Sequence, residues 1–181
     1  MSEITAAPID LQPFCGRDAP QAWLERPVSR GNWTWATDGH ILVRVPRRPE
    51  ISENPDAAHV EHIWSKGACT VWRAPLPCML PAHRTEDCPR CAGTGRERDC
   101  LDGTSPCGRC DGSGVIEFAA PVAVGAGLIH LRHAHLIVSL PAVEIGWESD
   151  ACERLRFRCA GAEGIVSALR LRTYRVPVAE I

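Results

Sequence analysis

Apolar and polar residues alternate most regularly in the C-terminal part of the chain. Val143, Ile145 and Trp147 alternate with Glu144 and Glu148, and Leu155, Phe157 and Cys159 alternate with Arg154, Arg156 and Arg158. A period of two turns successive side chains to opposite faces, so these segments predict antiparallel strands with one buried face. Ile165–Arg172 predicts a further strand after a glycine-containing turn. Between residues 131 and 140 the period changes: Ala134, Ile137 and Leu140 fall along one side of a short helix, stopped by Pro141. Val115–Ala119 and Val122–His130 predict strands. In the N-terminal half, aromatic Asn32–Ala36 and β-branched His40–Val45 predict two strands, with turn chemistry at Thr37-Asp38-Gly39 between them. Residues 46–60 are rich in proline and acid and predict a loop, Ala57–Ser65 a short helix, and Cys69–Ala74 another strand. The fold class expected is α+β: a mostly antiparallel sheet with one or two short helices.

The pattern breaks near residue 84 and resumes near 115. Residues 86–114 hold five cysteines, six glycines and almost no large apolar side chain, too little to build a core. The division expected is one discontinuous domain, 1–84 with 115–181, and an inserted module, 85–114. Two copies of C-x-x-C-x-G-x-G stand there: Cys88-Pro-Arg-Cys91-Ala-Gly93-Thr-Gly95 and Cys107-Gly-Arg-Cys110-Asp-Gly112-Ser-Gly114. Fifteen residues separate the pairs, a spacing suited to four thiolates around one metal. Two thiolates two residues apart converge on one tetrahedral ion only if the chain turns tightly, which glycine permits. Cys88, Cys91, Cys107 and Cys110 are therefore the expected ligands of one Zn2+ per chain, with Cys100 spare.

Composition narrows the setting. The first residues lack a basic start followed by an apolar run, and no apolar stretch approaches membrane-spanning length. The expectation is a cytoplasmic protein with no membrane partner, where ten cysteines point to metal before disulfides. A net charge of −2 gives no global attraction to nucleic acid. Locally, Arg154, Arg156 and Arg158 share one strand face and Arg170 and Arg172 another, which makes Arg154, Arg156, Arg158 and Arg172 candidate nucleic-acid contacts. Glu144 and Glu148 on the preceding strand would neutralise part of that patch by cross-strand pairing. His59-Val-Glu61 ahead of Cys88-x-x-Cys91 matches part of a zinc deaminase pattern, but Asp87 stands where that pattern has proline and the second cysteine pair would be orphaned. No nucleophile elbow, phosphate loop or dinucleotide fingerprint occurs. Binding is expected before catalysis.

Two resemblances add to this. The cysteine repeats resemble the zinc centre of DnaJ-type chaperones, although the chain lacks their His-Pro-Asp signature and carries two repeats where that family has four. Residues 34–43, Thr-Trp-Ala-Thr-Asp-Gly-His-Ile-Leu-Val, resemble a segment of bacterial DNA polymerase sliding clamps. His135-Leu-Ile-Val-Ser-Leu-Pro-Ala-Val-Glu-Ile-Gly and Arg154–Arg172 resemble the last helix and strands of a clamp domain. The combination is similar to that of phage and prophage proteins. The clamp resemblance implies a partner-binding groove lined by Thr37, Gly39, His40, Leu42, Val166, Leu169 and Arg170. Ile41 and Ser167-Ala168 depart from the family pattern. Because the family's groove lies between adjacent domains, the resemblance also implies a homo-oligomer. The function expected is a zinc-containing adaptor, phage-derived, that engages a protein of DNA processing or defence. A DNA-binding accessory protein and a zinc deaminase-like enzyme are the alternatives.

Overall fold

A computed structural model describes residues 8–16, 21–64, 69, 71–75, 80–82, 85–98, 103–110, 112–117, 121–124, 127–148, 153–169 and 179–180. The protein is α+β and divides into two compact units, Met1–Leu80 with Pro121–Ile181, and Pro81–Ala120. No helix among the described residues is long and apolar enough to cross a membrane.

The first unit is built on a six-stranded antiparallel sheet. Its strands are β1 (Val28–Arg30), β2 (Trp33–Thr37), β3 (Ile41–Pro46), β10 (Glu144–Trp147), β11 (Arg154–Cys159) and β12 (Ala162–Ser167), in the order β1-β2-β3-β12-β11-β10. The intervening strands belong elsewhere. Thus β8 (Pro121–Val124) and β9 (Gly127–His130) form a hairpin, with β13 (Ala179–Glu180) parallel to β8. The continuous strand expected at Val122–His130 is therefore two strands.

Alternation decides which side chains go inside. Ala36, Val43, Gly164, Phe157 and Ile145 lie in register across one face, and all five are buried. A Cβ on Gly164 would sit 2.0 Å from the Phe157 ring, so the ring occupies the space a side chain would need. The other face carries the row Val28, Trp35, Arg44, Glu163, Arg158 and Glu144. Helix α1 (Ala58–Trp64) covers its apolar end: Val60 and Ala57 pack with Val28, Trp35 and Leu42, bordered by Trp23, Trp33 and Trp64.

Several boundaries shift from expectation. Helix α2 (Leu131–Val138) ends before Leu140, with the Ser139 N–H donating to the His135 carbonyl and the Leu140 N–H to the Ile137 carbonyl. Of the described residues between Cys69 and Ala74, Arg73 forms an antiparallel bridge to Ile145 of β10 in place of the expected strand. The last sheet strand starts at Ala162 and ends at Ser167. Arg170, Arg172 and Cys100 lie outside the described residues.

The second unit holds β4 (Thr85–Asp87), β5 (Arg96–Arg98), β6 (Thr104–Pro106) and β7 (Val115–Glu117). They pair as β4 with β7 and β5 with β6. Val115–Glu117, expected in the larger domain, thus closes the module.

Candidate functional site

The module turns its two repeats into two copies of one loop. Strand β4 leads into Cys88 and β6 into Cys107, while Gly95 opens β5 and Gly114 opens β7. Thr94 and Ser113 each donate a side-chain hydroxyl to the carbonyl of the preceding cysteine, Cys91 and Cys110, at 2.7 Å. The copies interlock. The Cys107 N–H donates to the Gly95 carbonyl and the Cys88 N–H to the Gly114 carbonyl, both at 2.8 Å.

The result is a cluster of four buried sulfurs, all within 4.8 Å of one another. Cys88 Sγ lies 3.9 Å from Cys107 Sγ, and Cys91 Sγ lies 3.7 Å from Cys110 Sγ. A tetrahedron with metal–sulfur bonds of about 2.3 Å has edges of about 3.8 Å. The Gly95 N–H donates to Cys91 Sγ and the Gly114 N–H to Cys110 Sγ, both at 3.3 Å, a pattern that favours thiolate. Burial opposes ionisation of Cys88, but the Cys91 and Arg90 N–H groups directed at its sulfur bring the thiol down to about 7. The Arg109 N–H favours the Cys107 thiolate and burial opposes it, while hydrogen bonds with Cys110 and Cys88 keep its proton, pushed up to about 11. The donor set fits one metal ion held by four thiolates, and Ile116 is the apolar side chain packed against it.

The larger unit brings the two clamp-like segments together. Asp38 Oδ1 accepts from the His40 and Ile41 N–H groups at 2.9 Å each, and Thr37 Oγ1 accepts from the Gly39 N–H at 3.0 Å. These bonds fix the turn between β2 and β3. Strand β12 then pairs with β3, Val166 opposite Ile41, and the Ser167 N–H donates to the His40 carbonyl at 2.9 Å. Turn and closing strand are thus neighbours within one chain, and no second copy is needed to join them. They border a pocket of about 240 Å³ lined by Thr37, Gly39, His40 and Leu42, together with Ile165 and Ser167. Val166 is fully buried and faces the core instead. Leu169 is half-buried, its N–H bonded to the Leu128 carbonyl. Trp23, His59, Ile63 and Arg154 also line it; the sequence had marked His59 and Arg154 for other roles, and nothing in the local sequence marks Trp23 or Ile63.

The arginine face is occupied from within. Glu148 accepts from Arg154 at 2.6 Å and from Arg156 at 2.7 Å, and Glu144 from Arg158 at 2.6 Å. Arg154 and Arg156 also donate to the Ile63 and Trp64 carbonyls, fastening α1 to the sheet. The deaminase-like residues have separate employment. His59 packs edge-on against Trp23, Glu61 pairs with Arg30, and Cys88 and Cys91 converge on the other two cysteines.

One constellation had no sequence signal. His133 Nε2 lies 2.9 Å from Asp38 Oδ2, with both side chains buried, and His40 and His130 stand beside it. Burial opposes the Asp38 carboxylate, but His133 and the Ile41 and His40 N–H groups outweigh it and hold its pKa well below the usual range. Comparison of the chain with protein-family models, curated proteins and solved structures finds no match.

Proposed function

We propose that the protein is a zinc-containing adaptor. One zinc held by Cys88, Cys91, Cys107 and Cys110 supports the module, and the pocket beside the Thr37–Leu42 turn captures a short segment of a partner protein. Sulfur separations of 3.7–3.9 Å support zinc, since they match the edge of a four-thiolate zinc tetrahedron. Four protein ligands close the coordination sphere, so the zinc is structural. The pocket carries the binding reading: four residues singled out by resemblance to sliding clamps line one concave wall with the strand from the other clamp-like segment. The partner class we favour is a protein of DNA processing or defence met by a phage product. Direct DNA binding is less favoured because Arg154, Arg156 and Arg158 already satisfy glutamates.

Selection of peptides from a displayed library on the full-length protein tests this. Selected peptides should lose affinity on Leu42→Ala, by about 1–3 kcal/mol if the side chain forms apolar wall, and on His40→Ala. Elemental analysis should give one zinc per chain. Peptides indifferent to both substitutions would place recognition elsewhere, and a metal content near zero would remove the zinc.

A further inference from the structure

A second metal site can be read in the larger unit, independently of the cysteines; it shares His40 with the partner pocket, and its test reads bound metal instead of peptide. Asp38 Oδ1 accepts two backbone N–H groups while Oδ2 faces His133 Nε2 at 2.9 Å, so Asp38 is a carboxylate and Nε2 carries the hydrogen. In a neutral imidazole that tautomer leaves the lone pair on Nδ1. His133 is 3 % exposed, and its Nδ1 is buried without a hydrogen-bond partner. An orphaned buried acceptor is costly and calls for an explanation. A histidine whose N–H is held by a carboxylate while its other nitrogen stays free is the arrangement of a metal ligand.

Two more imidazoles stand in place. The His130 ring lies 5.7 Å from the His133 ring, centre to centre, and the His40 ring lies 6.4 Å from His133 and 6.2 Å from His130. Three imidazoles on one ion with metal–nitrogen bonds of about 2.0–2.1 Å would have centres about 5 Å apart. The set is therefore slightly wide. Among the described residues only the four cysteines bring three or more ligand atoms within 4.8 Å of one another. His133 is fixed by Asp38 and His130 is half-buried, whereas His40 is exposed, so its ring is the one placed to turn inward. The Asp38 carboxylate offsets part of the ion's charge, and Arg132, 3.7 Å from Asp38 Oδ2, is a cation that opposes it.

We infer that His133, His40 and His130 form a binding site for a divalent transition-metal ion of the Zn2+ class, with Asp38 positioning His133. Imidazole donors suit such ions and do not suit Mg2+ or Ca2+.

The test is titration of the zinc-loaded full-length protein with Zn2+, followed by calorimetry and by 15N-histidine NMR. The expected result is uptake of a second equivalent accompanied by a shift of the His133 Nδ1 resonance. His40→Ala should weaken the second equivalent about tenfold or more, and Asp38→Asn by roughly 10–100-fold, with the first equivalent unchanged. Because the His40 side chain is exposed, that variant keeps its fold even if Asp38→Asn does not. No second equivalent near neutral pH, a His133 resonance that answers protons but not Zn2+, or undiminished uptake by His40→Ala would each overturn the inference.

Discussion

Gly95 and Gly114 lie across each other at the centre of the cysteine module, each against the backbone of the opposite repeat. A Cβ on Gly95 would fall 2.3 Å from the Gly112 carbonyl oxygen, and one on Gly114 would fall 2.3 Å from the Gly93 oxygen. Both residues have positive φ, +71° and +78°. The obstacle is backbone tied to the cysteines of its own repeat, the Gly93 and Gly112 N–H groups donating to the Cys88 and Cys107 carbonyls, so it cannot step aside without disturbing the cysteine cluster.

Gly95→Ala should therefore act on the metal although Gly95 is not a ligand. Backbone strain alone costs roughly 1–3 kcal/mol, and the carbonyl clash adds to it. The expected outcome is lower zinc content and lost amide protection in residues 85–117, with protection in β2, β3, β11 and β12 retained. Unchanged zinc content in the variant would show that the two repeats do not need this contact.

Asp38 sets a pH dependence. Its folded pKa lies below that of an unfolded aspartate, about 3.9, so its contribution to stability is fully present above that value. The contribution is lost as pH falls through the folded value. The stability difference between wild type and Asp38→Asn should shrink as pH falls below about 4. Urea unfolding of both proteins at matched pH reads this difference and cancels effects common to both, including acid loss of metal. A difference that does not shrink in acid would mean that Asp38 acts through shape alone.

Arg44 occupies the middle of the polar sheet face. Its guanidinium lies 4.0 Å from the Trp33 ring centre and 3.8 Å from that of Trp64, while Nε and Nη2 reach Glu163 Oε2 at 3.1 and 2.7 Å. A planar cation fits between two rings where an ammonium does not. Arg44→Lys should cost about 1–2 kcal/mol despite conserving charge, and should cost more than Glu163→Gln. If Glu163→Gln proved the more damaging in urea unfolding, the ion pair and not the stacking would hold α1 to the sheet.

How much of this was legible in the sequence depended on distance along the chain. The four cysteines that could hold a metal are spaced by the local turn such a site requires, so the motif announced their convergence. The β2–β3 and β11–β12 hairpins join neighbouring segments with clear alternation, and Glu144 facing Arg158 followed from the same alternation. The pairing of β3 with β12 joins residues such as Arg44 and Glu163, 119 positions apart, and no local pattern encodes it. Without that pairing the turn and the closing strand seemed to need a second copy to meet. His133 was hidden for a related reason. On a short amphipathic helix it counts as a polar position, and only the approach of Asp38, 95 residues away, reveals it as buried. Val122–His130 read as one strand because apolar residues flank Gly125 and Ala126 on both sides.

The antiparallel pair β4 and β7 sets Thr85 opposite Glu117. Entry to the module and exit from it are therefore cross-strand neighbours, a few ångströms apart. Closing a flexible loop costs entropy that grows with its length, but once β4 and β7 have paired around a bound ion, the rest of the chain no longer bears that cost. To the surrounding polypeptide the whole segment then counts as a tight hairpin connection. Such a segment could be shortened to a simple turn, or replaced by another closed module, at little expense to the assembly of its host.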